Sequence, residues 1–145
     1  MKKNDNPKVM VEFNLWGEFI DFDEFNRLLN VEPTKTKKKA EYKVPEYAHD
    51  TWELSTGYVE TMAISVPFEA LTSQLSREID QINCLKEKYC LHSNLIVVIK
   101  SHINKMPECI LTENCIKFAS STKSEIHFDA YIFEENYGKE LRRFP

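Results

Sequence analysis

The sequence predicts an α+β or α/β domain, in which a single layer of about four to five strands forms a mixed sheet covered by two or three helices. Apolar and polar residues alternate over residues 9–16, 49–56 and 126–133, the pattern of strands with one buried face. Residues 95–99 are a continuous apolar run, and segments of helical spacing separate the strands. We therefore expect residues 1–145 to form a single globular domain with short polar N-terminal and charged C-terminal tails.

The stretch around Trp52 is the predicted anchor of the core. Trp52 and Leu54 stand at period-two spacing with polar residues between them, so both side chains point to the same face of a strand. A tryptophan contributes a large apolar surface to a core. The run Leu95–Ile99 is expected to be a central strand, because β-branched residues occupy both of its faces.

Three helices are expected from the spacing of apolar residues and from the capping residues. Residues 22–29 predict a short amphipathic helix, with Asp21 as N-cap and Glu24 three positions later as in a capping box. Apolar residues recur every three or four positions from Ser65 to Tyr89, which predicts one long amphipathic helix with a core-facing stripe. The third helix is expected to begin after a Thr112 cap.

The remaining segments are interpreted as connections. The lysine-rich residues 33–40 are typical of a solvated loop, and a contact with an anion or an acidic partner is the alternative. Residues 42–44 are predicted to begin a short edge strand that Pro45 limits. The charged tail from Glu134 is expected to be frayed.

Composition argues against several classes of protein. The formal net charge of -4 disfavours nucleic-acid binding, which usually requires a basic domain. No apolar run reaches the roughly 18 residues of a membrane span, and the polar N-terminus lacks the apolar segment of a secretory signal. We therefore expect a cytoplasmic protein. The cysteines at 84, 90, 109 and 115 are too widely spaced for a zinc site, so we expect reduced thiols, no metal and no cofactor.

No catalytic motif stands out, since the chain has no nucleophile elbow, phosphate loop or His-Glu-x-x-His sequence. Two sets of residues are candidates for binding instead. Acidic residues suited to contact with a partner protein are Glu18, Asp21, Asp23, Glu24, Glu134 and Glu135. An alternative ligand or anion site comprises Lys37, Lys38, Lys39, His127, Asp129 and Tyr131. In the second set the last three residues share one strand face, where a histidine beside a carboxylate can form an acid–base pair.

Several short motifs carry a resemblance to a known family. They are Phe-Asn-Leu-Trp-Gly at residues 13–17, Leu-Leu-Asn-Val-Glu-Pro-Thr at 28–34, Trp-Glu-Leu-Ser at 52–55, Leu111-Thr112, and Ile-His-Phe-Asp-Ala-Tyr at 126–131. In order and spacing they resemble the bacterial domain-of-unknown-function family four-two-seven-nine. The resemblance covers most of the chain and implies a compact bacterial domain. It brings no catalytic residues, and it implies a class that is suspected of including immunity proteins for secreted toxins.

Two hypotheses about function follow. The first is a non-enzymatic binding protein, such as an immunity protein that neutralises a cognate bacterial toxin by stoichiometric binding. The alternative is a small enzyme or ligand-binding domain that uses the face with His127, Asp129 and Tyr131. A deep pocket lined by these three side chains would favour the alternative, and a flat charged or aromatic surface would favour the binding protein.

Overall fold

The computed structural model describes residues 6–44 and 48–134, together with the backbone of residues 141–144. Its elements, in chain order, are β1 (Lys8–Gly17), α1 (Phe22–Leu28), β2 (Lys35–Lys37), a 3-10 turn (Lys39–Glu41), β3 (Asp50–Ser55), β4 (Val59–Glu60), α2 (Ser65–Leu75), α3 (Ile79–Tyr89), β5 (His92–His102), α4 (Glu113–Ser121), β6 (Glu125–Phe133) and β7 (Leu141–Phe144).

The strands form one mixed sheet in the order β2-β3-β1-β5-β6-β7, and the two-residue β4 pairs with the beginning of β1. Every neighbouring pair is antiparallel except β5 and β6, which are parallel. A parallel pair needs a crossover, and α4 lies in the connection between these two strands. The predicted α+β class, mixed sheet and central position of the 95–99 run are confirmed.

All four helices contribute to a single core on one face of the sheet. Alternate residues of β1, from Val9 to Leu15, are fully buried there, as period-two strand geometry requires. Trp52 is 1% exposed, and its ring centroid lies 6.4 Å from that of Phe25 in α1. Phe13 meets Phe118 of α4 edge to face, at a centroid distance of 5.6 Å. The prediction that Trp52 anchors the core is confirmed.

The expected long helix from Ser65 to Tyr89 was wrong, because the chain forms two helices with a break at Ser76–Glu78. The carboxylate of Glu78 accepts a hydrogen bond of 2.9 Å from the Asn30 backbone N–H, and Glu78 is only 6% exposed. The break therefore places a buried carboxylate against the end of the α1 segment. Both helices continue the same apolar stripe, so the spacing alone could not reveal the interruption.

Three connections also differ from expectation. Residues 35–37 form edge strand β2 rather than a loop, because the Thr34 N–H and the strand itself pair with β3. Lysines at an exposed edge discourage pairing with another chain. Residues 42–44 do not form a strand. In the tail, residues 141–144 are not frayed but pair with the outer edge of β6, while residues 135–140 and Pro145 lie outside the described part.

Within residues 6–44 and 48–134, no helix has the length and apolar character required to cross a membrane.

Candidate functional site

The helices leave the other face of the sheet uncovered, and we call this surface the open face. Strand registers bring together, on five neighbouring strands, side chains from residue 10 to residue 131 of the chain. The open face comprises Lys35 and Lys37 of β2, Thr51, Glu53 and Ser55 of β3, Met10, Glu12, Asn14 and Trp16 of β1, His92, Asn94, Ile96, Val98 and Lys100 of β5, and Glu125, His127, Asp129 and Tyr131 of β6. Most of these positions are polar, in contrast to the apolar helix-covered face.

A row of rings crosses one end of the open face. Trp16 lies between His92, at a centroid distance of 5.6 Å, and His49, at 6.3 Å, and His49 continues to Tyr42 at 5.5 Å. The Lys37 ammonium lies 4.0 Å from the centroid of the Tyr42 ring, a cation–π contact. These four rings form the ring strip. Trp16 remains partly exposed within it, so an aromatic surface held by its neighbours faces outward.

Two carboxyl groups meet near the centre of the open face, and we call them the carboxyl pair. Glu12 lies opposite Ser55 and Glu53 lies opposite Asn14, so the two glutamates are diagonal neighbours, and their side chains are hydrogen-bonded. Partial burial, followed by the charge of Glu53 and this hydrogen bond, raises the pKa of Glu12 to about 7, and the charge of Lys35 acts in the opposite direction. Glu12 therefore gains or loses a proton near neutral pH.

An amide pair lies beside the carboxyl pair on the two central strands. Asn14 and Asn94, only 8% and 9% exposed, are directly opposite each other in the β1–β5 register. The Asn14 side-chain amide donates to the side-chain oxygen Oδ1 of Asn94 at 3.1 Å. Buried amides are usually hydrogen-bonded, and this bond holds both side chains in place between the ring strip and the carboxyl pair.

His127, Asp129 and Tyr131 lie on the same face of β6, as the alternation predicts, and that face belongs to the open face. The histidine, however, is hydrogen-bonded to a different carboxylate from the one expected. His127 Nε2 lies 2.9 Å from Glu125 Oε1, while the Tyr131 hydroxyl donates to Asp129 Oδ2 at 3.3 Å. The spacing of two residues allows both arrangements, so the sequence could not decide between them.

The lysine run lies at the opposite edge of the sheet from β6. Four strand spacings separate β2 from β6, a distance of about 19 Å, so one small ligand cannot contact Lys37 and His127 together. The backbone N–H of Lys38 donates to Glu41 Oε2 at 2.9 Å, and that of Lys39 to Asp50 Oδ1 at 2.8 Å. The proposed alternative site is thus two separate groups of residues.

The acidic residues near α1 are engaged in interactions within the fold. The Glu18 carboxylate lies 3.4 Å from the Lys39 ammonium. Asp21 is the N-cap of α1, as predicted, and its Oδ1 accepts hydrogen bonds of 3.1 Å from the backbone N–H groups of Asp23 and Glu24. Asp23 is exposed.

Glu24 does not complete the expected capping box. Its carboxylate accepts hydrogen bonds from the Lys88 ammonium at 2.7 Å and from the Tyr89 hydroxyl at 2.6 Å. The hydrogen bonds from Lys88 and then Tyr89 hold the pKa of Glu24 below its usual value. Glu24 therefore ties α1 to α3. Glu134 is half-buried just after β6, and Glu135 lies outside the described residues.

A polar cluster around Lys86 is another feature that the sequence did not indicate. The Lys86 ammonium donates to Ser93 Oγ at 2.6 Å and to the carbonyl oxygens of Thr122 and Lys123. A lysine beside a buried serine has the composition of a nucleophile–base pair, and burial lowers the pKa of Lys86. Lys86, however, donates three hydrogen bonds, which requires the protonated ammonium, and an ammonium has no lone pair with which to accept a proton from Ser93. We interpret the cluster as a structural tie at the end of α4.

Two cavities lie away from the open face. One of about 410 Å³ lies between α2 and α4, with Thr72 and Lys117 in its wall, and one of about 580 Å³ lies beside α1, with Asn26 and Thr36 in its wall. Neither is lined by His127, Asp129 or Tyr131. All four cysteines are free, and in the described ranges no group of three or more His, Cys, Asp or Glu side chains could hold a metal ion.

Comparison with known proteins agrees with the resemblance seen in the motifs. No curated protein and no solved structure matches the chain. The family described as "Domain of unknown function (DUF4279)" matches residues 7–133, which include β1 to β6 and therefore the whole open face. The chain belongs to this family of domains of unknown function.

Proposed function

We propose that this chain is a non-enzymatic binding protein that docks onto a partner protein through the open face. In this proposal it acts in the bacterial cytoplasm as an immunity-type protein and neutralises a cognate toxin by stoichiometric binding. The observation that carries the proposal is the ring strip, because a partly exposed tryptophan lies among polar side chains on a face that the helices leave uncovered.

The ring strip has the properties of an interface anchor. Tryptophan and tyrosine are enriched among the residues that dominate binding energy, since they bury a large area and lose little side-chain entropy. Trp16 is held between His49 and His92, and Tyr42 is held under Lys37. Because these contacts exist before any partner arrives, docking would not have to order the rings.

The extent of the open face supports a protein partner. The five strands from β2 to β6 span about 19 Å, and residues 92–100 of β5 span about 26 Å along the strand. The enclosed area of about 500 Å² is more than half of the roughly 800 Å² that one protein contributes to a standard interface. Charged groups of both signs surround the rings, as in the polar rim of a protein interface.

A second candidate function, acid–base chemistry on a bound ligand, is favoured by one observation. The pKa of Glu12 is raised to about 7, which is close to the value that a general acid or base needs at neutral pH. His127 lies on the same face, separated from Glu12 by Ile96 of β5. The two candidate functions can be distinguished experimentally, because only acid–base chemistry requires turnover of a substrate.

The test compares Trp16→Ala with Phe19→Ala. Phe19 is 59% exposed and contacts Tyr89 outside the open face, so it is a matched control for the loss of an exposed aromatic ring. Proteins captured from a lysate of the source bacterium are identified by mass spectrometry, expressed, and titrated against wild-type protein and both variants. We expect a 1:1 complex that Trp16→Ala weakens at least about tenfold and that Phe19→Ala leaves within about twofold.

Two results would contradict the proposal. One is equal affinity of the Trp16→Ala variant and wild type for every partner that forms a 1:1 complex. The other is turnover of a substrate that is lost when His127 or Glu12 is changed to alanine, which would establish the enzymatic alternative.

A further inference from the structure

The carboxyl pair has an unusual position for two acidic groups. Glu53 is the diagonal neighbour of Glu12 on one side and of Trp16 on the other, because it lies opposite Asn14, midway between them on β1. Diagonal neighbours are about 7 Å apart, so both carboxyl groups and the indole ring border one small area of the open face. Neighbouring residues Asn14 and Asn94 bond to each other across the two central strands.

We infer that this area receives an arginine side chain of the partner protein, which stacks on Trp16 and binds the carboxyl pair. The inference rests on the proposed function, since it names the partner chemistry that the open face would recognise. Arginine is favoured over lysine because its planar guanidinium can stack on a ring and form two parallel bonds to a carboxylate at the same time.

Charge complementarity supports a basic occupant. The chain has a formal net charge of -4, so long-range attraction favours a partner surface of positive charge. On the open face, Glu53 and Lys35 face Glu12 from β3 and β2, and Lys35 is at the sheet edge. From the other side, β5 presents Ile96 and Asn94, and beyond them β6 presents Glu125 and His127, which are bonded to each other.

Proton release follows from the chemistry of the pair. A protonated Glu12 carries no charge and donates its proton to Glu53, so it attracts a guanidinium less than a carboxylate does. A bound cation favours the ionised form and expels the proton into solvent. With a pKa of about 7 for free Glu12, affinity for the cation should rise about tenfold between pH 6 and pH 8.

The experiment uses the full chain and a defined probe, the acetylated and amidated tripeptide Gly-Arg-Gly. Its control is the same peptide with citrulline, which replaces the charged guanidinium by a neutral urea of similar shape. Amide chemical shifts of ¹⁵N-labelled protein are followed during titration at pH 6 and pH 8. We expect shifts centred on Glu12, Glu53 and Trp16 with the arginine peptide, and about tenfold tighter binding at pH 8.

Two separate variants, Glu12→Gln and Glu53→Gln, test the roles of the two carboxyl groups. Each removes one ionisable group with little change of side-chain shape. We expect both variants to weaken binding at pH 8, and we expect Glu12→Gln to abolish the difference between the two pH values because Glu12 is the group that titrates. The inference is overturned if the arginine peptide shifts none of these amides at pH 8, if the citrulline peptide shifts them equally, or if Glu12→Gln retains the tenfold pH effect. These results would leave Trp16-dependent docking of a partner intact, which the capture experiment tests separately.

Discussion

Glu12→Gln should stabilise the protein at alkaline pH and have little effect at acidic pH. In the folded protein the pKa of Glu12 is raised from 4.5 to about 7, so the folded state binds a proton there that the unfolded chain has already lost. Between these two pH values, the contribution of Glu12 to the free energy of unfolding of the wild type falls as pH rises. Above the folded pKa this contribution no longer changes with pH. Glutamine resembles the protonated carboxyl group and does not titrate.

The magnitude follows from the size of the change in pKa. At about 1.36 kcal/mol per pH unit, a rise from 4.5 to about 7 corresponds to at most about 3.4 kcal/mol. Glu12 is only partly buried, and solvent screens its interaction with Glu53, so we expect about 1–2 kcal/mol. Urea unfolding of wild type and Glu12→Gln at pH 5 and pH 8 measures this difference directly.

Glu87→Gln is the control for the effect of losing one negative charge. Glu87→Gln removes one negative charge from the exposed side of α3, and its effect on stability should be the same at both pH values within about 0.5 kcal/mol. Taking the difference between variant and wild type cancels the titration of all other groups. If Glu12→Gln gives equal changes in free energy at pH 5 and pH 8, the carboxyl pair does not share a proton in solution.

Three further predictions concern stability, and each is measured by urea unfolding. Trp52→Ala should cost about 3–5 kcal/mol because it empties a fully buried site, and an unchanged midpoint would contradict its position in the core. Lys86→Met should cost about 2 kcal/mol because the acceptors at the end of α4 lose their donor, whereas exposed Lys117→Met should change stability by less than about 0.5 kcal/mol. Asp21→Ala should cost about 1 kcal/mol as a lost N-cap, and a similar cost for Asp23→Ala would argue against capping as the cause.

The sequence was sufficient for the strands that have one apolar face. Alternation located β1, β3 and β6, and the continuous run from 95 to 99 located the central β5, because burial imposes a period of two on each strand. The edge strands β2 and β7 carry lysines, arginines and other polar residues, so their composition indicated a loop and a tail. Their strand conformation comes from pairing with β3 and β6, which is a property of the assembled sheet.

The candidate site could be predicted only in part, because alternation indicates the buried face of one strand but not which residues of other strands lie beside its other face. The alternation of residues 9–16 puts Trp16 opposite the apolar face, but its ring contacts with His49 and His92 depend on residues far along the chain. The carboxyl pair was not predicted, since Glu12 and Glu53 come together through the β1–β3 register. The spacing of residues along the chain does not predict which residues of β1 and β3 lie side by side when the residues concerned are polar.

The acidic residues near α1 and the open face would contribute to partner binding in different ways. Asp21 and Glu24 are hydrogen-bonded within the fold, so reversing their charge would disturb α1 and its tie to α3 as well as any partner contact. Asp23 is exposed and its side chain takes no part in these hydrogen bonds, so it tests long-range attraction with less disturbance of α1. A charge that acts at long range changes mainly the association rate, whereas a ring or carboxyl pair in direct contact changes mainly the dissociation rate. Kinetics of Asp23→Lys and Trp16→Ala with the same partner would therefore separate steering by the α1 surface from docking on the open face.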